Sequence, residues 1–191
     1  DDDLIHGDEL TLSAETLPSW LSFDAETGVL SGTPSNAEVG DHSVVLVATD
    51  ASEATVEQSF TLTVENVNDV PTVTSTALLS AQEDAAYSYT FTADDDDLIH
   101  GDELTLSAET LPAWLSFDPD TGILSGTPTK AAVGDHSVVL VATDASEATV
   151  EQSFTLTVDY VNDVPTVTST ASATAVNEDT VYSYTFTADD D

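Results

Sequence analysis

Asn66-Val67-Asn68-Asp69-Val70-Pro71, Gln82-Glu83-Asp84 and Asp94-Asp95-Asp96-Asp97 follow one another through the middle of the chain. A strand ends in an Asn/Asp corner, a proline opens the next segment, an acidic pair follows, and four aspartates close the strand after it. Carboxylate and amide oxygens gathered at a junction are what a hard cation such as Ca²⁺ requires, because it takes six to eight oxygens in a flexible cage. The same pieces return as Asn162-Asp163-Val164-Pro165, Glu178-Asp179 and Asp189-Asp190-Asp191. The junction and its repetition set the expectation of a calcium-stiffened tandem array.

Working outward, Trp20 matches Trp114 and Pro71 matches Pro165, an offset of 94 residues in both cases. Residues 4–69 and 98–163 differ at only nine of 66 positions. Repeats this alike point to a long array. The first residues, Asp1–Asp3, correspond to Asp95–Asp97, and the last, Asp189–Asp191, to Asp94–Asp96. Head and tail therefore overlap by two residues, and the sequence reads as one two-repeat period cut inside a domain.

Composition narrows the function. The 191 residues include one lysine (Lys130), no arginine and 37 acids, for a formal net charge of −36. One lysine cannot build a basic groove, which excludes nucleic acid and argues against anionic membrane surfaces. So much like charge repels itself in the compact state; bound divalent cations or high salt relieve it, and a solvated acidic surface suited to saline water is the alternative. Here the acids bunch at strand ends. No cysteine is present, so no disulfide supports the core. The longest apolar run, Val44–Ala48, is far too short to span a bilayer.

Short strands bounded by Gly, Pro and Asp follow each other without helical periodicity. His42–Thr49 is β-branched, Val56–Glu65 alternates through Phe60, Leu62 and Val64, and Tyr87, Tyr89 and Phe91 alternate within Ala86–Ala93. That pattern predicts an all-β chain of tandem seven-stranded β-sandwich domains. The expected layout is 1–69 as a partial domain lacking its first two strands, 70–164 as a complete domain, and 165–191 as the first two strands of the next. Thr72–Leu79 and Ala86–Ala93 are the two opening strands, repeated within Thr166–Asp191. Such a hairpin is marginal alone, and the head has an unpaired edge. A copy of the tail is therefore expected to complete a copy of the head, by chain continuity or by strand donation between copies.

Leu111-Pro112-Ala113-Trp114-Leu115-Ser116-Phe117, Thr121-Gly122-Ile123-Leu124-Ser125-Gly126-Thr127-Pro128, Val141-Ala142-Thr143-Asp144 and Val161-Asn162-Asp163-Val164-Pro165 together resemble the dystroglycan-type cadherin-like (CADG) repeat of giant bacterial surface proteins and adhesins. The resemblance covers essentially the whole chain and implies an Ig/cadherin-like fold with Ca²⁺ between neighbouring domains. It implies ligands Asn68, Asp69, Asp94, Asp96 and Asp144 at the first junction. At the second it implies Glu83 or Asp84 with Asn162, Asp163, Asp189 and Asp191. Apart from the resemblance, Asp102 or the backbone beside it is expected to add an oxygen. Two departures reduce the set. Gly32-Thr33-Pro34 and Gly126-Thr127-Pro128 stand where cadherins carry Asp-Arg-Glu, and the first linker position is Asn66 in one copy and Tyr160 in the other. About one or two ions per junction are expected, fewer than in cadherins.

Each histidine (His6, His42, His100, His136) reads as a turn residue on the surface, without a second ligand at metal spacing. Trp20 and Trp114, flanked by Leu and Phe, read as packing residues rather than sugar platforms. No catalytic set stands out, and the chain is not expected to be an enzyme. Two functions follow: a Ca²⁺-rigidified structural repeat in a secreted, cell-surface fibre or adhesin stalk, self-assembling with neighbouring copies, or a module binding polysaccharide or another cell surface.

Overall fold

The structure, a computed structural model, describes residues 9–171 and 175–190. It is all-β, with only short 3-10 turns between strands. The described chain falls into two compact units: residues up to Thr72 with 93–105 and 142–150, and residues 73–92 with 106–141 and 151 onward.

In the first unit, β1 (Thr11–Thr16), β4 (Gly40–Thr49) and β5 (Thr55–Val64) form an antiparallel sheet in the order β1-β4-β5. Its register sets Leu12 opposite Ala48 and Leu46 opposite Gln58. β2 (Leu21–Asp24) and β3 (Val29–Gly32) pair as a hairpin. Asp50 closes the β4–β5 turn, its Oδ1 accepting from Ser52 N and Ala54 N at 2.8 Å each. A short acidic side chain that satisfies its own turn in this way is why Asp recurs at this strand end.

The second repeat begins with β6 (Thr72–Val73), β7 (Ser80–Gln82), β8 (Tyr87–Thr90) and β9 (Ala93–Asp94). It continues with β10 (Thr105–Thr110), β11 (Leu115–Asp118), β12 (Ile123–Gly126), β13 (Gly134–Thr143) and β14 (Thr149–Asp159). The sheets are β10-β13-β14-β7 and β11-β12-β8, with β6 beside β9. Of the expected strand Thr72–Leu79 only Thr72–Val73 is strand, with β7 following beyond it, and the expected strand Ala86–Ala93 is broken between β8 and β9. Thr74 N and Ser75 N both donate to Thr92 O, while Ser75 Oγ accepts from Thr92 N. This double grip ends the β6–β9 ladder and frees the chain to cross over. It then pairs parallel to β14, with Ser80 opposite Thr157 and Gln82 opposite Asp159.

The core of the second unit follows the predicted alternation. Tyr87, Tyr89 and Phe91 face inward with Leu124, Val138, Leu140, Leu156 and Val158. Tyr87 meets Trp114 edge-on with centroids 6.2 Å apart, and Tyr89 meets Phe154 at 6.0 Å. Edge-to-face pairs at this spacing add to what burial alone contributes. Gly126 lets the β11–β12 hairpin close on Trp114: a Cβ there would lie 2.2 Å from the Trp114 carbonyl oxygen. The rings of His42 and His136 lie in β4 and β13, half-buried and edge-on to Trp20 and Trp114, rather than on surface turns as their Gly-Asp flanks suggested. Each Nε2–H donates to a backbone carbonyl four residues back, Glu38 O and Ala132 O. His6 lies outside the described residues.

Tyr87 donates its hydroxyl proton to Leu78 O at 2.8 Å. Burial, aided by Tyr89, pushes its pKa up to about 12 from an ordinary 10. A raised pKa stabilises the fold in the protonated state. That stabilisation is complete below pH 10 and is lost as pH rises from 10 through 12. An alkaline titration followed by tyrosinate absorbance and circular dichroism should show one late-ionising tyrosine, and Tyr87→Phe should remove it.

Beyond β14 the described tail contains only β15 (Thr166–Val167) and β16 (Ala188–Asp189). Thr168 N and Ser169 N grip Thr187 O, reproducing the crossover locally. Tyr182, Tyr184 and Phe186 were expected in a strand but are exposed and outside one; Phe186 is 65% exposed where its counterpart Phe91 is fully buried. The sequence run is the same, but among the described residues no strand pairs with residues 181–187.

Candidate metal centre

Inward alternation through Tyr87, Tyr89 and Phe91 runs on into the aspartate run, so Asp95 and Asp97 are buried while Asp94 and Asp96 face solvent. Asp95 caps the short turn Asp96–His100, its Oδ1 accepting from Asp97 N at 2.9 Å. Asp97 is 1% exposed, and its Oδ2 accepts from Asp69 N at 2.6 Å. Asp102, past the left-handed Gly101, accepts on Oδ1 from Glu103 N and Ala145 N. Asp144 ends β13; its Oδ1 accepts from Ala148 N and its Oδ2 from Asn68 Nδ2 at 2.8 Å.

These bonds leave Asp95 Oδ2, Asp97 Oδ1 and Asp102 Oδ2 buried without a partner. Asp95, Asp102 and Asp144 bring carboxylate oxygens within 4.8 Å of one another. A buried carboxylate without a compensating charge or donor is strongly disfavoured. The chain's one lysine is not among the partners of this cluster, so an oxygen-seeking cation fits the vacant lone pairs. The orphaned oxygens, the flexible side-chain amide of Asn68 and nearby backbone carbonyls are the donor set that Ca²⁺ takes.

Among the residues implied by the resemblance, Asn68 and Asp144 are brought into direct contact here. Asp69 contributes its backbone N–H to Asp97. Asp94 and Asp96 face solvent in the phase of the strand, while Asp95 and Asp97 are the buried pair. The period-2 pattern of Tyr87, Tyr89 and Phe91, extended across the four aspartates, would have found them.

A second cluster lies in the other unit. Glu83, Asp84 and Asp163 bring oxygens within 4.8 Å of one another. Glu83 is 3% exposed; its Oε2 accepts from Val161 N at 3.1 Å and its Oε1 is buried without a partner. Asp84 sits at φ 58°, in the left-handed region that costs a non-glycine residue free energy. Asn162 Nδ2 donates to Asp163 O, as Asn68 Nδ2 does to Asp69 O. Asp189 is exposed at the end of β16, and Asp191 lies outside the described residues. The tail counterpart of Asp95 is Asp190, which is exposed.

The Asn68 amide and the Ala148 and Ser146 backbone hold the Asp144 carboxyl below its usual 3.8 against the opposing effect of burial. A depressed pKa stabilises the fold above pH 3.8, and that contribution is lost as pH falls through the folded-state value. In metal-free protein Asn68→Ala should raise the Asp144 pKa, read by carboxyl carbon chemical shifts across an acid titration.

The two-sheet fold with acid-lined strand ends defines an immunoglobulin- or cadherin-like repeat. Residues 1–65 and 70–159 match the family described as "Putative Ig domain", and the chain belongs to that family. It is also similar to the "Serine-rich adhesin for platelets" of Staphylococcus aureus strain MRSA252, 33% identical over 137 residues. That match covers 72% of this chain but 10% of the adhesin, and 6% of the one from strain MSSA476. Among solved structures, the protocadherin GammaB4 extracellular domain aligns with a TM-score of 0.59 at 23% identity, covering 95% of this chain and 32% of that one. The human mucin-like protocadherin EC1-2 aligns at 0.55 and 19%, covering 81% and 85%. The structural likenesses speak to the fold alone.

Proposed function

We propose that the chain is a Ca²⁺-rigidified structural repeat of a long extracellular bacterial adhesin stalk or fibre. The observation that carries this is the set of orphaned carboxylate oxygens at Asp95, Asp97 and Asp102 in a chain with almost no cationic side chains. The similarity to surface adhesins supports the extracellular, cell-surface setting. In this reading 1–69 belongs to one domain, 70–164 is the next, and 165–191 opens a third, with the dystroglycan-type cadherin-like resemblance supplying the cation chemistry. An ion shared by Asn68 from the linker and Asp95, Asp97, Asp102 and Asp144 would tie the linker to the following repeat. Nothing in this role calls for catalysis. Small-angle scattering on several whole repeats tests it: a rod in calcium should become a flexible chain in excess chelator. An unchanged profile would overturn the role of calcium in setting the geometry.

A second reading, self-assembly by strand complementation, is favoured by one observation. Tyr182, Tyr184 and Phe186 are exposed copies of buried residues, and the first repeat has an open apolar cleft lined by Leu12, Phe23, Leu46 and Val56. Sedimentation with and without an added 175–190 peptide tests it. Association between copies should fall as the peptide competes, whereas a monomer at all concentrations would contradict it.

A further inference from the structure

The nine differences between residues 4–69 and 98–163 are not scattered. Five of them, Ser35/Thr129, Asn36/Lys130, Glu38/Ala132, Glu65/Asp159 and Asn66/Tyr160, lie in one turn and the strand end and linker beside it. In the first repeat Ser35, Asn36, Glu65 and Asn66 line a single surface cleft. Ser35 and Glu38 fix its turn, Glu38 Oε2 accepting from Ser35 N at 2.9 Å and from Ser35 Oγ at 2.5 Å. Asn36 is thereby presented at the surface and is engaged at both ends. Its Nδ2 donates to Asp96 O at 2.6 Å, and its backbone carbonyl accepts from His100 Nε2 at 2.8 Å.

In the second repeat the turn itself is built from different side chains, Thr129, Lys130 and Ala132. Ala132 keeps the backbone bond, its N–H donating to Thr129 O at 2.8 Å, but has no side-chain carboxylate to accept from Thr129, and the ammonium of Lys130 lies 5.5 Å above the Tyr160 ring. Two of the differing positions thus face each other as a cation–π pair, an attraction of electrostatic origin. A folding constraint common to both repeats would not change residues in this coordinated way at one end of the domain. An interface that differs between the two would.

We propose that the Ser35–Glu38 turn is an interlock surface for the Asp96–His100 turn of the following repeat, built into one repeat type and replaced in the other by the Lys130–Tyr160 pair. Successive junctions of the array are then chemically distinct, one presenting the Asn36 side-chain amide and the next an ammonium over a tyrosine ring. The clamp needs no metal, because both of its bonds run directly between protein groups. It also fixes the peptide between Asp95 and Asp97, orienting the carboxylates of the first cluster; this consequence rests on the calcium reading above.

The chain contains no cysteine, so spin labels at Ser43→Cys and Ile99→Cys report the clamp in the full 191-residue protein by pulsed electron resonance. In chelator the parent should give one narrow distance. His100→Ala, and separately Asn36→Lys with Asn66→Tyr to copy the second repeat's surface, should broaden it. The same variants should weaken calcium binding at the Asp95 cluster roughly three- to tenfold, the scale of one or two exposed hydrogen bonds. A broad distribution in the parent in chelator, or no change in either variant, would overturn the interlock. A parent that is narrow in chelator, broadened by the variants and indifferent to calcium would retain the interlock and remove the calcium reading.

Discussion

Asp97→Asn should destabilise the protein in calcium and leave it unchanged or more stable in chelator. Asp97 Oδ2 accepts from Asp69 N, a bond that the Asn Oδ1 preserves, whereas Asp97 Oδ1 is buried with no donor. Without metal the substitution removes a buried, uncompensated charge and keeps the backbone bond. With metal it removes a charged ligand, and affinity should fall on the order of 100-fold. A ligand held at 100 times its dissociation constant stabilises the folded state by about 2.7 kcal/mol, so most of that contribution is at stake. For a domain of this size about 1 kcal/mol moves the melting temperature by roughly 4–8 °C. Asp96→Asn, one residue away and exposed, should do nothing comparable in either condition. Paired thermal melts of the two variants, in calcium and in chelator, separate a ligand from a bystander.

Phe91→Ala should cost about 3–5 kcal/mol, the range for deleting a fully buried aromatic ring, whereas Phe186→Ala should cost less than about 0.5 kcal/mol, as exposed substitutions do. Both phenylalanines sit in the same run, Tyr-Ser-Tyr-Thr-Phe-Thr-Ala-Asp-Asp, so local propensity cannot account for a difference. Phe91 packs against Phe117 with centroids 6.5 Å apart, and its N–H donates to Gly122 O at 2.8 Å. Gly122 has φ +67°, and a Cβ there would meet the Phe91 carbonyl oxygen at 2.4 Å. The ring, the strand switch beside it and the glycine turn form one packed unit. Denaturant unfolding of the two variants measures the contrast, and equal losses would contradict the packing described for the second repeat.

Much of this was legible in the sequence because β-structure writes its burial with a period of two. The alternation of Tyr87, Tyr89 and Phe91 located the core of the second repeat. The split of the opening strands was not legible. It depends on Ser75 and Thr92 bonding each other across 17 residues, which no local pattern announces. The half-buried histidines were hidden by their Gly-Asp flanks, since their seat is a tryptophan more than 20 residues earlier. The burial phase of the aspartates is legible in the strand that leads into them, whose alternation continues through Asp95 and Asp97. Asp102 reaches the cluster only because Gly101 turns the chain back, placing its carboxylate on Ala145 N.

Calorimetric titration of the 191-residue chain with calcium, alongside Asp97→Asn, tests the central claim most directly. The account predicts saturable binding to the parent, with one class of sites lost in the variant and the class containing Glu83, Asp84 and Asp163 retained. Absence of saturable calcium binding, or an isotherm unchanged by Asp97→Asn, would contradict it.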